Sequence, residues 1–157
     1  MHRHSPPHPP RHPLRSDARH APWHQRALWA VGAVLLASGA GWLALHYAGT
    51  GADGLPHPQE ALLMRVHGAA AELGLFVLGA IAAAHVPPGW RLSRRPRWAR
   101  QRGSGLLLCA LALALAASGW ALYYAAPEWL RPGLGWAHAG VGLAMALLLL
   151  LHRRGAR

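Results

Sequence analysis

Residues 61–86 read ALLMRVHGAAAELGLFVLGAIAAAHV, an apolar run with a histidine near each end. His67 and His85 are separated by five turns at about 3.6 residues per turn, so both lie on one helix face. A later apolar run repeats this layout with His138 and His152, which are almost four turns apart. At about 1.5 Å per residue the pairs span roughly 27 Å and 21 Å, close to the roughly 30 Å hydrocarbon core of a bilayer. One histidine of each pair is therefore expected near each membrane face.

Four such apolar runs account for most of the chain. Hydrophobic residues make up 53% of the 157 positions and are gathered into runs, which is typical of helices in lipid. Each run is close to the roughly 20 residues that a spanning helix needs. The predicted spans are 28–47, 61–86, 105–126 and 134–151. The sequence therefore predicts an all-α integral membrane protein, a four-helix bundle with up-down-up-down topology.

The arginines predict the orientation of these spans. The chain has no lysine, and all but two of its 16 arginines fall before the first span, between the second and third, or after the fourth. Because arginine is retained on the cytoplasmic side of short loops, both termini are predicted to be cytoplasmic in a multi-pass protein of the bacterial inner membrane. The net charge of +11 then indicates topology and attraction to the anionic lipid bilayer, and no nucleic-acid partner is expected.

Residues 1–25 differ from the rest of the chain in composition. They are rich in Pro, His and Arg and contain few large apolar side chains, so they are predicted to be a disordered cytoplasmic tail. The histidines of this tail are of a type that binds transition metals, although a solvated tail of biased composition explains them better. Residues 26–157 then form one transmembrane domain.

An internal repeat pairs the spans into two hairpins. Ser38-Gly39 in the first span corresponds to Ser118-Gly119 in the third, and the second and fourth spans each open with a histidine that has a glycine nearby, His67 with Gly68 and His138 with Gly140. In two side-by-side hairpins the second and fourth spans run the same way. We therefore expect His67 and His138 at one level, near the outer face, and His85 and His152 at another, near the inner face.

The ordered motifs resemble a known group of proteins. They are Arg65-Val66-His67-Gly68, His85 with Gly89-Trp90, Ser118-Gly119 with Tyr123-Tyr124, Glu128, Arg131, His138, Gly142 and His152-Arg153. Across about residues 38–154 the chain looks like small bacterial four-helix membrane proteins of unassigned function. That group is similar to the b-type di-haem membrane cytochromes, such as the cytochrome subunits of hydrogenases and formate dehydrogenases. The resemblance implies two haems, with His67, His85, His138 and His152 as axial ligands of the haem iron. Glu72 departs from the pattern, where an apolar residue is expected.

The type of haem follows from the cysteine count. Cys109 is the only cysteine and no Cys-x-x-Cys-His motif is present, so covalent attachment is excluded and any haem is haem b. Haem propionates need cationic partners, and arginine binds both oxygens of a carboxylate. Arg65 and Arg131 are the outer candidates, and Arg153 is an inner one. An exposed pair with Glu128 explains Arg131 equally well, and topology alone suffices for the inner arginines.

Two further polar residues leave alternatives open. His46 is a third histidine on the outer side and a possible metal ligand; it could replace an outer ligand, bind a propionate, exchange protons with a quinone, or simply end a helix at the interface. Glu72 lies about 140° around the helix from His67, so it does not share the ligand face. It is expected to be a protonated acid, a proton relay or a partner of another helix.

The sequence therefore favours an electron-transfer component rather than a stand-alone enzyme. The expected function is a di-haem cytochrome b that carries electrons across the inner membrane, to or from quinone or another redox partner. The alternatives are a haem-free membrane subunit of a larger complex and a histidine-based metal transporter or metal-binding protein.

The arginine distribution makes a prediction that does not involve haem. Cysteines introduced near Arg97 and Arg157 should be labelled only from the cytoplasm, and cysteines near Asp53 and Arg131 only from the periplasm. Membrane-impermeant labelling of intact cells measures this. Periplasmic labelling at Arg157 would mean that the fourth span does not cross.

Overall fold

Four long helices make up the structure, a computed structural model that describes residues 22–48, 55–92 and 99–155. They are α1 (Pro22–Ala48), α2 (Gln59–Leu92), α3 (Ala99–Trp120), which continues as a π-helical turn (Ala121–Ala125), and α4 (Arg131–Gly155). No strand occurs within these described ranges. The all-helical prediction is confirmed, and each predicted span lies within one helix, the third in α3 together with its π-turn and the residue after it.

The helices extend beyond the apolar runs that predicted them. α1 begins at Pro22, a residue suited to the first turn of a helix because it has no N–H to leave unpaired. Residues 22–25, which the sequence assigned to the disordered tail, therefore belong to α1. The predicted tail at positions 1–21 lies outside the described residues. α2 likewise continues through Pro87 and Pro88 to Leu92.

All four helices are long and apolar enough to cross a membrane. Their outward surfaces carry large apolar side chains, such as Phe76 at 78% exposure and Leu113 at 71%. Among the described residues the buried side chains are small, including Ala70, Ala126 and Ser38. Small residues between helices and apolar residues outside are the distribution that packing in lipid favours, since lipid tails solvate the exterior.

Packing is closest within two helix pairs, α1 with α2 and α3 with α4. In the first pair, a Cβ placed on Gly41 would lie 3.4 Å from Leu63, and one placed on Gly74 would lie 3.3 Å from Val31. α1 and α2 therefore pack against each other in an antiparallel arrangement. Fewer contacts join the two pairs, so the space between the hairpins is less tightly packed than the space within them.

The corner between α1 and α2 is held by a capping arrangement at His57. His57 Nδ1 accepts a hydrogen bond from the Gln59 backbone N–H (3.2 Å), and Glu60 Oε1 accepts one from the His57 N–H (3.1 Å). The pattern resembles a capping box, but the cap is a histidine and its side chain accepts from the N–H of Gln59, one residue before Glu60. Glu60 Oε2 also lies 2.9 Å from His46 Nδ1, so the acid ties the end of α1 to the start of α2. We call this end of the bundle the outer end, after the orientation that the arginines predict.

At the outer end of α3 the helix widens into the π-turn. The Ala126 N–H donates to the Ala121 carbonyl (2.7 Å), which is the i to i+5 bond of a π-helix. The wider turn carries one extra residue, and Tyr123 Oη comes within 3.7 Å of the position that a Cβ on Gly68 would occupy. The Tyr123 hydroxyl therefore lies beside the residue after His67.

The tight contact at Gly74 gives a stability prediction. Gly74→Leu should lower the free energy of unfolding by about 1–3 kcal/mol, because Val31 and Leu35 occupy the space that the side chain needs. Denaturant unfolding in detergent, followed by circular dichroism, measures the loss. Gly79→Leu is the matched control, since a Cβ there has no atom within 4 Å. Equal losses in the two variants would contradict the packing described here.

Candidate functional site

Two of the predicted site histidines meet between the hairpins. His67 of α2 and His138 of α4 have ring centroids 6.3 Å apart and ring planes inclined at 69°. Both side chains are partly buried. The structure thus brings together the two residues that the sequence placed at one level, although they belong to different hairpins.

A serine on the neighbouring helix fixes the ring of His67. Ser38 is 3% exposed, and its Oγ lies 2.6 Å from the Val34 carbonyl and 3.0 Å from His67 Nδ1. A hydroxyl has one hydrogen, and the short contact to the carbonyl oxygen uses it. The Oγ lone pair is then left to accept from Nδ1–H of His67. This tautomer leaves the lone pair of Nε2 available for a ligand.

The second hairpin has the same serine–histidine arrangement at His138. Ser118 Oγ lies 2.6 Å from the Ala114 carbonyl and 2.7 Å from His138 Nδ1. The same argument assigns the hydrogen to Nδ1 of His138 and the lone pair to Nε2. Two imidazoles from different hairpins are therefore oriented alike, each through its Nδ1.

The glycine after each serine lets the imidazole approach the helix. A Cβ on Gly39 would lie 3.2 Å from Cε1 of His67, and a Cβ on Gly119 would lie 3.4 Å from Cε1 of His138. Side chains at these positions would press on the rings. In the Ser-Gly dipeptide the serine orients the histidine and the glycine leaves room for it.

A third Ser-Gly dipeptide, which the sequence alone did not connect with the site, acts on His152. Ser104 Oγ lies 2.6 Å from His152 Nδ1 and 3.2 Å from the Gln101 carbonyl, and a Cβ on Gly105 would lie 3.8 Å from the His152 ring. The signal was present in the sequence. Ser104 and Ser118 have the same spacing on α3 as His138 and His152 have on α4.

The outer pair has an Nε2 lone pair available on each histidine. Each ring would bind the ion through Nε2, at about 2.0–2.1 Å, because its Nδ1 is already hydrogen-bonded to a serine. The separation observed between His67 and His138 is 6.3 Å. Both rings are held through Nδ1, as metal-binding histidines usually are. Two neighbouring imidazoles, each with Nδ1 hydrogen-bonded and the Nε2 lone pair available, are residues of the type that would hold a metal ion.

Two histidines of the α1–α2 hairpin lie toward the same inner end as His152. The predicted partner, His85, is exposed near the end of α2. His24, which the sequence placed in the tail, lies instead in the first turn of α1, and its Nδ1 is buried without a hydrogen-bond partner. Arg153, next to His152, stacks over Trp29 of α1 at 5.6 Å. This contact places the inner ends of α1 and α4 together. His24 is therefore a second candidate, beside His85, for a histidine that acts together with His152.

The predicted arginines have different environments. Arg65 is exposed on α2, two residues before His67. Arg131 Nε donates to the Ala126 carbonyl (3.0 Å), which braces the loop after the π-turn. Arg153 contacts Trp29 as described above. Each lies near the end of its helix where the sequence placed it.

The remaining polar candidates lie away from the histidine pair. His46 hydrogen-bonds Glu60 and stacks on Trp42, with ring centroids 4.4 Å apart. Its structural role at the α1–α2 corner is the one that these contacts support. Glu72 and Cys109 are exposed on the outside of α2 and α3.

Comparison with known proteins adds no relative, since no family model, curated protein or solved structure matches the chain. In the part of the chain that the structure describes, no group of three or more His, Cys, Asp and Glu side chains is placed to hold a metal ion. A haem iron takes only two axial protein ligands, so this observation does not constrain a haem.

Proposed function

We propose that the protein is a four-span membrane cytochrome with two b haems that carries electrons across the bacterial inner membrane. In this proposal the helices run up-down-up-down, with both termini in the cytoplasm. His67 and His138 hold the outer haem and His152 holds the inner one. The physiological partner is quinone or another redox protein, and the chain acts as an electron-transfer component, alone or in a larger complex.

The observation that carries the proposal is the repeated serine–histidine contact. Intramembrane histidines are rare and usually functional, because an unpaired polar group in hydrocarbon is costly. Here Ser38, Ser118 and Ser104 each satisfy one nitrogen of a histidine on the neighbouring helix. A histidine with only a structural role would gain no stability from an Nε2 atom that has no hydrogen-bond partner. A ligand histidine needs this arrangement.

The loose packing between the hairpins also supports a flat cofactor. The helices approach closely within each pair, and fewer contacts join the pairs. A haem with one ligand from each hairpin would lie in that space and link the two halves of the bundle.

In this proposal the side chains of the protein orient the haem ligands, supply charge to the haem carboxylates and exclude water. A bound haem b supplies an iron that gains and loses one electron. Ser38 and Ser118 polarise the imidazoles through Nδ1 and so strengthen donation from Nε2. Arg65 and Arg131 at the outer end, and Arg153 at the inner end, supply charge for carboxylates. The apolar helices exclude water, and burial is one of the factors that set a haem potential.

The first test is haem content. Protein purified from haem-supplied cells should contain two non-covalent haems per chain, seen as a Soret band and a reduced-minus-oxidised spectrum. Substitution of either His67 or His138 by alanine should remove the same haem, and His152→Ala should remove the other. His46→Ala is the control and should leave both. Protein that folds but has no Soret band would favour the haem-free alternatives.

The same spectra identify the second inner ligand. Loss of the inner haem in His85→Ala, with retention in His24→Ala, would support the pair that the sequence predicted. The reverse result would assign His24. Both histidines are near the inner end of the α1–α2 hairpin, so each variant is the matched control for the other.

The serines give a prediction that separates orientation from ligation. Ser38→Ala and Ser118→Ala should weaken haem retention at the outer site by about 10- to 100-fold, because the imidazole loses the acceptor that fixes it. Ser104→Ala should weaken only the inner site. Competition with apomyoglobin, followed in the Soret region, measures retention. Unchanged retention in Ser38→Ala and Ser118→Ala would show that the serines do not orient ligands.

A further inference from the structure

One face of α2 is turned away from the bundle and carries an acid. Its residues follow the 3-4-3-4 spacing of a helix–helix packing seam, and all are exposed; they are Ala69, Glu72, Phe76, Gly79 and Ala83. Phe76 is 78% exposed, and a Cβ on Gly79 would contact nothing within 4 Å. We call this set the Glu72 face.

Glu72 has no cation beside it among the residues that the structure describes. It makes no hydrogen bond or ion pair with any other described residue. The nearest arginine on α2 is Arg65, which is about two turns and about 10 Å away along the helix. Glu72 lies near the middle of the apolar run 61–86 and so near the middle of the span. An acid at this depth is costly unless it is paired.

We propose that the Glu72 face binds a transmembrane helix of another protein, one that carries Arg or Lys near the centre of the bilayer. Ala69, Gly79 and Ala83 allow a close approach of two helices, which is the main source of helix association in lipid. Phe76 supplies contact area, and the partner's cation neutralises Glu72. The proposal rests on insertion of the four helices in a membrane and does not depend on haem.

A second copy of this chain does not meet the requirement. Its apolar runs contain no Lys or Arg except Arg65, which lies about two turns from Glu72 and near the outer end. Two copies packed through this face would bring acids of like charge to the same depth. In this proposal the cation that pairs with Glu72 therefore comes from a different protein.

The test uses labelled full-length protein in phosphatidylcholine vesicles, which carry no net charge. The probe is a synthetic apolar helix of about 23 residues with a single central arginine, and the matched probe has leucine there. Energy transfer measures association. The arginine probe should bind about 3- to 30-fold more tightly than the leucine probe. Glu72→Leu should remove this preference, and Gly79→Leu should weaken both probes. Glu128→Gln, which changes an acid outside the spans, should change neither.

Three results would overturn the proposal. They are equal binding of the two probes by the native protein, an arginine preference that persists in Glu72→Leu, and Glu72-dependent energy transfer between two labelled copies of the protein. Cysteine labelling of the same vesicles verifies insertion. The measurement is made with haem-loaded and haem-free protein, so failure here would leave the cytochrome assignment untouched.

Discussion

The site depends on the single hydrogen of a helix serine. Ser38 and Ser118 each give that hydrogen to a carbonyl one turn back, at 2.6 Å. Their remaining lone pairs face the Nδ1 atoms of His67 and His138. In water such contacts would exchange with solvent. In the hydrocarbon that these helices are long and apolar enough to cross, no competing partner would be present and the tautomer would be fixed. The serine thus selects which nitrogen of each imidazole carries the hydrogen and which keeps its lone pair.

The sequence predicted the features that depend on amino-acid composition and on the spacing of residues along a helix. The apolar runs gave the four helices, and the histidine spacing with the repeat gave the meeting of His67 and His138. It could not predict features that depend on how neighbouring helices face each other. Ser104 reads as a polar residue at a helix start, and only the packing of α3 on α4 gives it a partner. The π-turn also leaves no mark in the apolar period, because the extra residue lies at the very end of the apolar run 105–126.

His46 shows why a chemical type alone does not identify a ligand. It lies on the expected side and in a span, yet Glu60 occupies its Nδ1 and Trp42 covers its ring. The same Glu60 completes the cap of α2 through His57. An imidazole that joins two helix ends needs an acid or carbonyl near it. A ligand imidazole needs one ring nitrogen held by a hydrogen-bond acceptor and the other nitrogen left accessible.

The two hairpins follow one plan at the outer end and diverge at the inner end. The offset in sequence that relates Ser118 to Ser38 also relates Ser104 to His24. One hairpin therefore has a serine where the other has a histidine, whose Nδ1 is buried without a partner. A serine can orient a ligand but is a poor ligand for haem iron, whereas a histidine can serve as either. In the proposed cytochrome the second hairpin would supply an oriented His152 to the inner haem. The opposing ligand would come from the first hairpin, where no serine corresponds to Ser104. The repeat therefore predicts the outer pair of histidines but does not decide between His24 and His85.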